Sequence, residues 1–257
     1  MFEYITHYYS SVPFRRLSAL SRSEAMKVMN ELCDDSPIFE RFKEPVQYWE
    51  NRLEAENWLR NGFIEKGGVP KEKYPFYAVL GTADWIENYA LSEGLDLNVL
   101  RIPLSLFSEK DVSFTVPDSM VSFWIGRDKP KEYYNVKFHG QVFTISEIKA
   151  NLTADVMSNL ESMIPSGIPY VEAQIWNHEV AMNFYNRCEQ EKRKPNDGFL
   201  SLLSAPARRA LEHNGIISLQ ILSQYSEREI VKLHGMGPAS LPKLRDALRE
   251  KGLSFKS

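Results

Sequence analysis

The chain is 257 residues long, 43% hydrophobic and 25% charged, with 31 Lys and Arg against 34 Asp and Glu. That is the composition of one large or two smaller folded domains, not of a disordered or collagen-like chain. No window reaches eighteen apolar residues, Met1-Phe2-Glu3-Tyr4 begins no basic-then-apolar leader, and Cys33 and Cys188 stand singly. The expectation is a chain with no membrane span, no secretory leader and no disulfide framework, at home in a reducing cytoplasm.

The opening, Tyr4 to Leu20, is aromatic and serine-rich without a clear period. Ser21 or Ser23 can cap a helix through Ala25, Val28, Met29 and Leu32, with Glu24 in its first turn and Asp34-Asp35-Ser36-Pro37 to end it. A second helix is predicted from about Pro45 to Lys66 on the stripe Trp49, Leu53, Leu59 and Phe63, stopped by Gly67-Gly68-Val69-Pro70. The period then changes. Tyr74 to Leu80 reads as a strand, Asp84 to Ala90 as a short helix, and Val99 to Leu104 and Val112 to Val116 as strands. After the turn Pro117-Asp118-Ser119, Val121 to Ile125 reads as a short strand, Asp128 to Tyr134 as a loop, and Gln141 to Phe143 as a strand. Thr144 with Glu147 has the form of a capping box opening a helix through Ile148 and Leu152. Val171 to Trp176 is the last predicted strand and His178 to Cys188 a helix. Glu189 to Gly198 is charged, ends in turn residues and is the expected domain boundary.

The charge divides unevenly across that boundary. Residues 199–257 carry nine Lys and Arg against five Asp and Glu, a balance of +4, and residues 1–198 carry −7. A basic small domain on an acidic larger one fits a module that meets a polyanion, and a balance of this size is also common in domains that bind none.

The histidines, His7, His139, His178, His213 and His234, share no ligand spacing with one another or with a cysteine. There is no phosphate-binding loop and no Gly-x-Ser-x-Gly elbow, so neither a metal nor an organic cofactor is implied. What remains in the strand-rich middle is Arg101, Asp118, His139 and Glu172. Arg101 and Glu172 each sit inside an apolar strand. Three placements are open: the solvated face of the sheet, an Arg101–Glu172 ion pair across it, or a catalytic or nucleotide-binding pocket. The tryptophans are expected in the core.

Near the C-terminus Leu233-His234-Gly235-Met236-Gly237-Pro238-Ala239-Ser240-Leu241 is written as a tight turn between two helices. Gly235 can end the first in a left-handed conformation, Met236 can point into the crevice, and Pro238 suits the start of the second. Arg208 and Arg209 follow Pro206 at a helix start, where the dipole does not favour cations, so either solvent exposure beside Glu212 or a phosphate contact accounts for them. Lys232, Lys243 and Arg245 surround the turn.

This segment, Leu202 to Phe255, resembles the C-terminal domain of the bacterial RNA polymerase alpha subunit, a module related to helix-hairpin-helix folds. The matching residues are Leu211, Asn214-Gly215-Ile216, Leu219, the Gly237 turn with Ser240-Leu241, Leu244, Leu248 and Gly252-Leu253. The positions that grip DNA in that family fall on Pro206, Arg209, Gly237, Ala239 and Ser240. The glycine and serine are kept; the family's first-helix arginine and its post-turn lysine are not. Residues 1–176 resemble an uncharacterised bacterial family. The resemblance runs through Lys73-Tyr74-Pro75-Phe76-Tyr77, Arg101-Ile102-Pro103-Leu104-Ser105, Val112-Ser113-Phe114-Thr115, Asp118-Ser119, Gln141-Val142-Phe143-Thr144 with Glu147-Ile148, and Tyr170-Val171-Glu172-Ala173-Gln174-Ile175-Trp176, and it implies no activity.

The expected architecture is an α+β domain with a mixed or antiparallel sheet, residues 1–190, followed by a small all-α helix-hairpin-helix-like domain, residues 199–257. The expected function is DNA binding through non-specific phosphate contacts by Arg208, Arg209, Gly235, Gly237, Ser240 and Lys243. Docking to a protein of a DNA-bound complex is the alternative for that domain. An enzyme acting on a nucleotide or nucleic acid is the alternative for the first.

Overall fold

The computed structural model describes residues 3–34, 39–153, 170–193 and 198–256. The chain forms two compact units, Met1–Met182 and Asn183–Ser257.

The first unit is built on a five-stranded sheet of β1 (Tyr4–Tyr9), β2 (Phe76–Leu80), β3 (Asn98–Pro103), β4 (Val112–Thr115) and β5 (Glu172–Ile175). Their order is β3-β1-β2-β5-β4, and every neighbouring pair is antiparallel. The registers sort the side chains by face. One face carries Ile5, Ala78, Leu80, Ile102, Val112, Phe114, Ala173 and Ile175. The other carries Thr6, Tyr77, Val79, Arg101, Ser113, Thr115, Glu172 and Gln174. This second, polar face is covered as well, and Thr6, Ser113, Thr115 and Gln174 are fully buried.

The polar face is covered by α2 (Pro45–Glu65), which begins with Pro45 in its first turn, where no N–H is missed. Leu59 and Phe63 of α2 pack with Val142 and Trp176, and the rings of Phe63 and Trp176 stack at 5.9 Å. At its other end Trp49 packs on Ala25 and Met29 of α1 (Arg22–Leu32) and on Phe42. Each of these large side chains contributes about 1.5–3 kcal/mol by leaving water. The capping box predicted for α1 forms on Ser21 and Glu24, and that of α5 (Ile145–Asn151) on Thr144 and Glu147. Residues 35–37, expected to end α1, lie outside the described residues; the helix has ended by Cys33. On the apolar face Phe76 is sandwiched between Phe14 and His178, and Phe14 stacks on His7. The helix α3 (Asp84–Ser92) follows β2 as predicted.

Three expectations are corrected. Tyr4–Tyr9 is a strand in the body of the sheet; because both its faces are covered, alternation is erased and Ile5, Thr6 and His7 are all buried. Val121–Ile125 belongs not to a strand but to α4 (Ser119–Asp128), whose N-cap Asp118 accepts the Val121 N–H. Gln141–Phe143 forms only a single bridge, Phe143 to Phe114, on the edge of β4.

The helix α6 starts at His178 as expected but runs to Arg193, so it crosses the division between the units and takes up the first half of the predicted linker. Residues 194–197 lie outside the described residues.

The second unit contains α7 (Ala205–His213), α8 (Leu219–Leu222), α9 (Glu227–Val231) and α10 (Ser240–Glu250). Its core gathers Phe199, Leu200, Leu211, Ile216, Leu219, Leu222, Ile230, Met236, Leu244 and Leu248. Met236 points into that core as the turn reading required. Gly235 adopts φ 95°, in the left-handed region, whereas Gly237 does not. Pro242 is the third residue of α10, inside the turn whose N–H groups have no helical partner.

Candidate functional site

A chain of polar side chains runs along the polar face at β4 and β5. Trp176 Nε1–H donates to Ser113 Oγ at 2.9 Å, Ser113 donates to Gln174 Oε1 at 2.8 Å, and the Gln174 amide donates to Thr115 Oγ1 at 2.9 Å and Glu172 Oε1 at 3.0 Å. Glu172 Oε1 also accepts the backbone N–H of Ser119, the first residue of α4, at 3.0 Å. The carboxyl of Glu172 therefore sits at the head of α4 beside that of Asp118. Burial, then the charge of Asp118, pushes Glu172 up to about 7, against Ser119 and Gln174, which favour the carboxylate. Burial also raises Asp118, despite the N–H groups of α4.

A second polar cluster adjoins the first through Tyr77, whose hydroxyl donates to Glu56 Oε1 at 2.7 Å. Glu56 pairs with Arg52 one helical turn away at 3.2 Å. Arg52 donates to Ser18 Oγ at 2.9 Å and to the Tyr48 hydroxyl at 3.1 Å, and its guanidinium lies 4.8 Å from the Tyr77 ring centre. Arg41, exposed, lies over the rings of Phe42 and Tyr48. Burial raises the phenols of Tyr77 and Tyr170, and the carboxylate of Glu172 adds to both.

Of the four residues singled out in this unit, the structure brings two together. Asp118 and Glu172 are adjacent. Arg101 shares their face and lies in one row with Glu172, through Thr6 and Val79, but three strands away, about 14 Å at ~4.8 Å per strand. The Arg101–Glu172 ion pair therefore does not form; Arg101 instead lies 4.0 Å from Glu87 and 5.9 Å from the Tyr4 ring centre. His139 is 1% exposed, with Nδ1 accepting the Asn135 N–H at 3.0 Å, and closes the turn packed against α4.

In the second unit the two helices α7 and α10 lack a side-chain cap, while α8 and α9 are capped by Ser218 and Ser226. The turn leading into α10 rests on the first turn of α7: a Cβ at position 235 would lie 3.0 Å from the Pro206 carbonyl oxygen. Arg208 and Arg209 are exposed on α7. Arg208 lies 3.9 Å from Glu212, and Arg209 makes no ion pair among the described residues. Lys243 is drawn off to the Leu202 carbonyl at 2.6 Å, and Arg245 clamps Glu227 with two hydrogen bonds. Ser240 is 6% exposed, so its hydroxyl is not part of the surface these arginines occupy. Gly237, Pro238 and Ala239 are at least partly open to solvent.

Among the described residues no group of three His, Cys, Asp or Glu is placed to hold a metal ion. No helix among them is long and apolar enough to cross a membrane. No protein-family model, curated protein or solved structure matches the chain.

Proposed function

We propose that the second unit is a DNA-binding module that grips the phosphate backbone without reading sequence. The observation that carries this reading is the close approach of Gly235 to Pro206, which sets two helix starts without side-chain caps beside each other with Arg208 and Arg209 next to them. Uncapped helix starts offer N–H groups and partial positive charge to an anion. The +4 balance of residues 199–257 and the likeness to the polymerase alpha domain support the same reading. The grip falls on Arg209, Arg208 and the Gly237–Ala239 backbone rather than on Lys243 or Ser240, which are occupied or buried.

The test is a salt titration of the full chain on a labelled duplex. With about three phosphates neutralised, log K should fall with log salt at a slope of roughly −2.7, from a weak affinity of about 10⁻⁴–10⁻⁶ M. Replacing Arg208 and Arg209 together by alanine should weaken binding to all sequences alike and flatten the slope by roughly 1–2. Binding that is absent at low salt, or unmoved by the double replacement, would sink the reading and leave docking to a protein in its place.

A further inference from the structure

The two edges of the sheet are finished differently. Every residue of β4 is buried, and Phe114 exchanges both backbone hydrogen bonds with Phe143 at 2.9 Å. The edge at β3 is open. The Leu104 N–H donates to the Glu3 carbonyl at 2.8 Å, continuing the register that sets Ile102 against Ile5 and Leu100 against His7. In an antiparallel ladder alternate residues point their backbone groups at the same neighbour. Leu104, Ile102 and Leu100 therefore face β1, while Val99, Arg101 and Pro103 face outward. Among the described residues no backbone or side-chain group bonds the outward N–H and carbonyl groups of Val99 and Arg101. Apolar side chains flank both ends of this edge. Leu91 and Leu95, 78% and 49% exposed, lie on the approach to β3, Val99 is exposed on the strand, and Leu106 is exposed just past its end.

We propose that this edge is the interface between two copies of the chain, with β3 paired antiparallel to β3 of the second copy. A two-fold axis through Leu100 sets Val99 of each copy opposite Arg101 of the other. Both residues face outward, so each pair exchanges two hydrogen bonds and both outward donors of each strand are met. The N–H that Pro103 lacks falls at the rim of the ladder, opposite Leu97. The same axis runs the segment of Leu106 past that of Leu95, so apolar residues before the strand meet apolar residues after it. That self-complementarity selects a second copy over an unrelated extended peptide. An axis through Arg101 would oppose two arginines directly, which is unfavourable. With the axis through Leu100 they sit diagonally, and each keeps Glu87 of its own copy at 4.0 Å. Because β4 is covered, the pairing closes at two copies and does not run on into a filament. A six-residue strand makes a small interface, so a dissociation constant of roughly 1–100 μM is expected. This surface is independent of the DNA-binding reading of the second unit.

The experiment is sedimentation equilibrium of the full chain from about 1 μM to about 1 mM, a range that brackets that affinity. The mass should rise from one chain to two and stop. Val99→Pro removes an N–H that points away from β1, so the sheet should survive, as circular dichroism would check, and the chain should stay monomeric. Leu95→Asp with Leu106→Asp changes only exposed side chains and should weaken the dimer at least tenfold. The register is tested by Leu100→Cys in a chain with Cys33→Ser and Cys188→Ser. The two positions form a pair without hydrogen bonds, about 4.5 Å apart between Cα atoms, so mild oxidation should link the copies. A single chain per particle up to about 1 mM, or growth beyond two chains, would overturn the proposal. So would a dimer untouched by both Val99→Pro and the Leu95 and Leu106 replacements, or one that Leu100→Cys fails to cross-link.

Discussion

A glutamate in the middle of a covered sheet, held near neutrality by burial and a second carboxyl, carries a cost that a glutamine there would not. Its sign can be worked out. The folded state holds the Glu172 proton up to about 7, whereas the unfolded chain releases it near 4.5. The stability linked to that proton is complete below 4.5 and is lost as pH rises through 7. Glu172→Gln should therefore be more stable than the parent at pH 8 by about 1–3 kcal/mol, with the gap closing toward pH 4, as urea midpoints at the two pH values would show. Parallel curves would mean that the carboxyl ionises freely in the fold. Both carboxyls could be singled out from sequence, but their surroundings could not. The signal that was there is the spacing of two in Ser113-x-Thr115 and Glu172-x-Gln174, which puts the polar residues on one face. That this face is roofed by α2 depends on Glu56 and Arg52, more than a hundred residues from Glu172, and no local pattern links them.

At the scale of elements, helices with written ends were legible, as were the apolar runs that became β2 to β5, whereas Val121–Ile125 and Gln141–Phe143 were not. Ser21 with Glu24 and Thr144 with Glu147 announced α1 and α5. Val121 to Ile125 looked like a strand because five apolar or small residues fit either period. What decides for α4 is the cap from Asp118 and a tight seat. Gly140 donates its N–H to the Ser122 carbonyl at 2.9 Å, and a Cβ on Gly126 would lie 2.4 Å from Gly140 Cα. Backbone meets backbone there and neither can step aside. Gly126→Ala should cost about 1–3 kcal/mol or more in thermal or urea unfolding, although alanine favours an isolated helix. A neutral result would mean that the 135–140 turn does not rest on α4. In the second unit the two turn glycines should part company. Gly235→Val should destabilise by roughly 1–3 kcal/mol, because φ is left-handed and the Pro206 carbonyl blocks the new atom. Gly237→Ala, with ordinary φ and open space, should shift the melting temperature little.

At the scale of the whole chain, charge and turn composition indicated two bodies, and the contacts divide it into 1–182 and 183–257. The division was expected at Glu189–Gly198 because Lys192-Arg193-Lys194-Pro195-Asn196-Asp197-Gly198 reads as linker. The helix period of α6 runs further than its apolar stripe, so the helix end was not written in hydrophobicity. Limited trypsin digestion should cut first between Lys192 and Pro195 and leave two resistant fragments, visible by mass spectrometry. A first cut within Val99–Phe143 would show that the first unit is not one cooperative body.

The run of hydrogen bonds from Trp176 through Ser113 and Gln174 to Glu172 has a consequence for how β4 and β5 find each other. Sliding β4 by a single residue would move Ser113 to the apolar face and leave the Trp176 N–H without an acceptor and the Gln174 Oε1 without its donor. An apolar pairing would forgive that slip; this one does not. The run thus acts as a key that accepts one alignment of the two strands. A double replacement, Ser113→Val with Gln174→Leu, would leave a strand pair that can be stable in more than one alignment, and doubled backbone resonances from β4 and β5 would reveal the lost key.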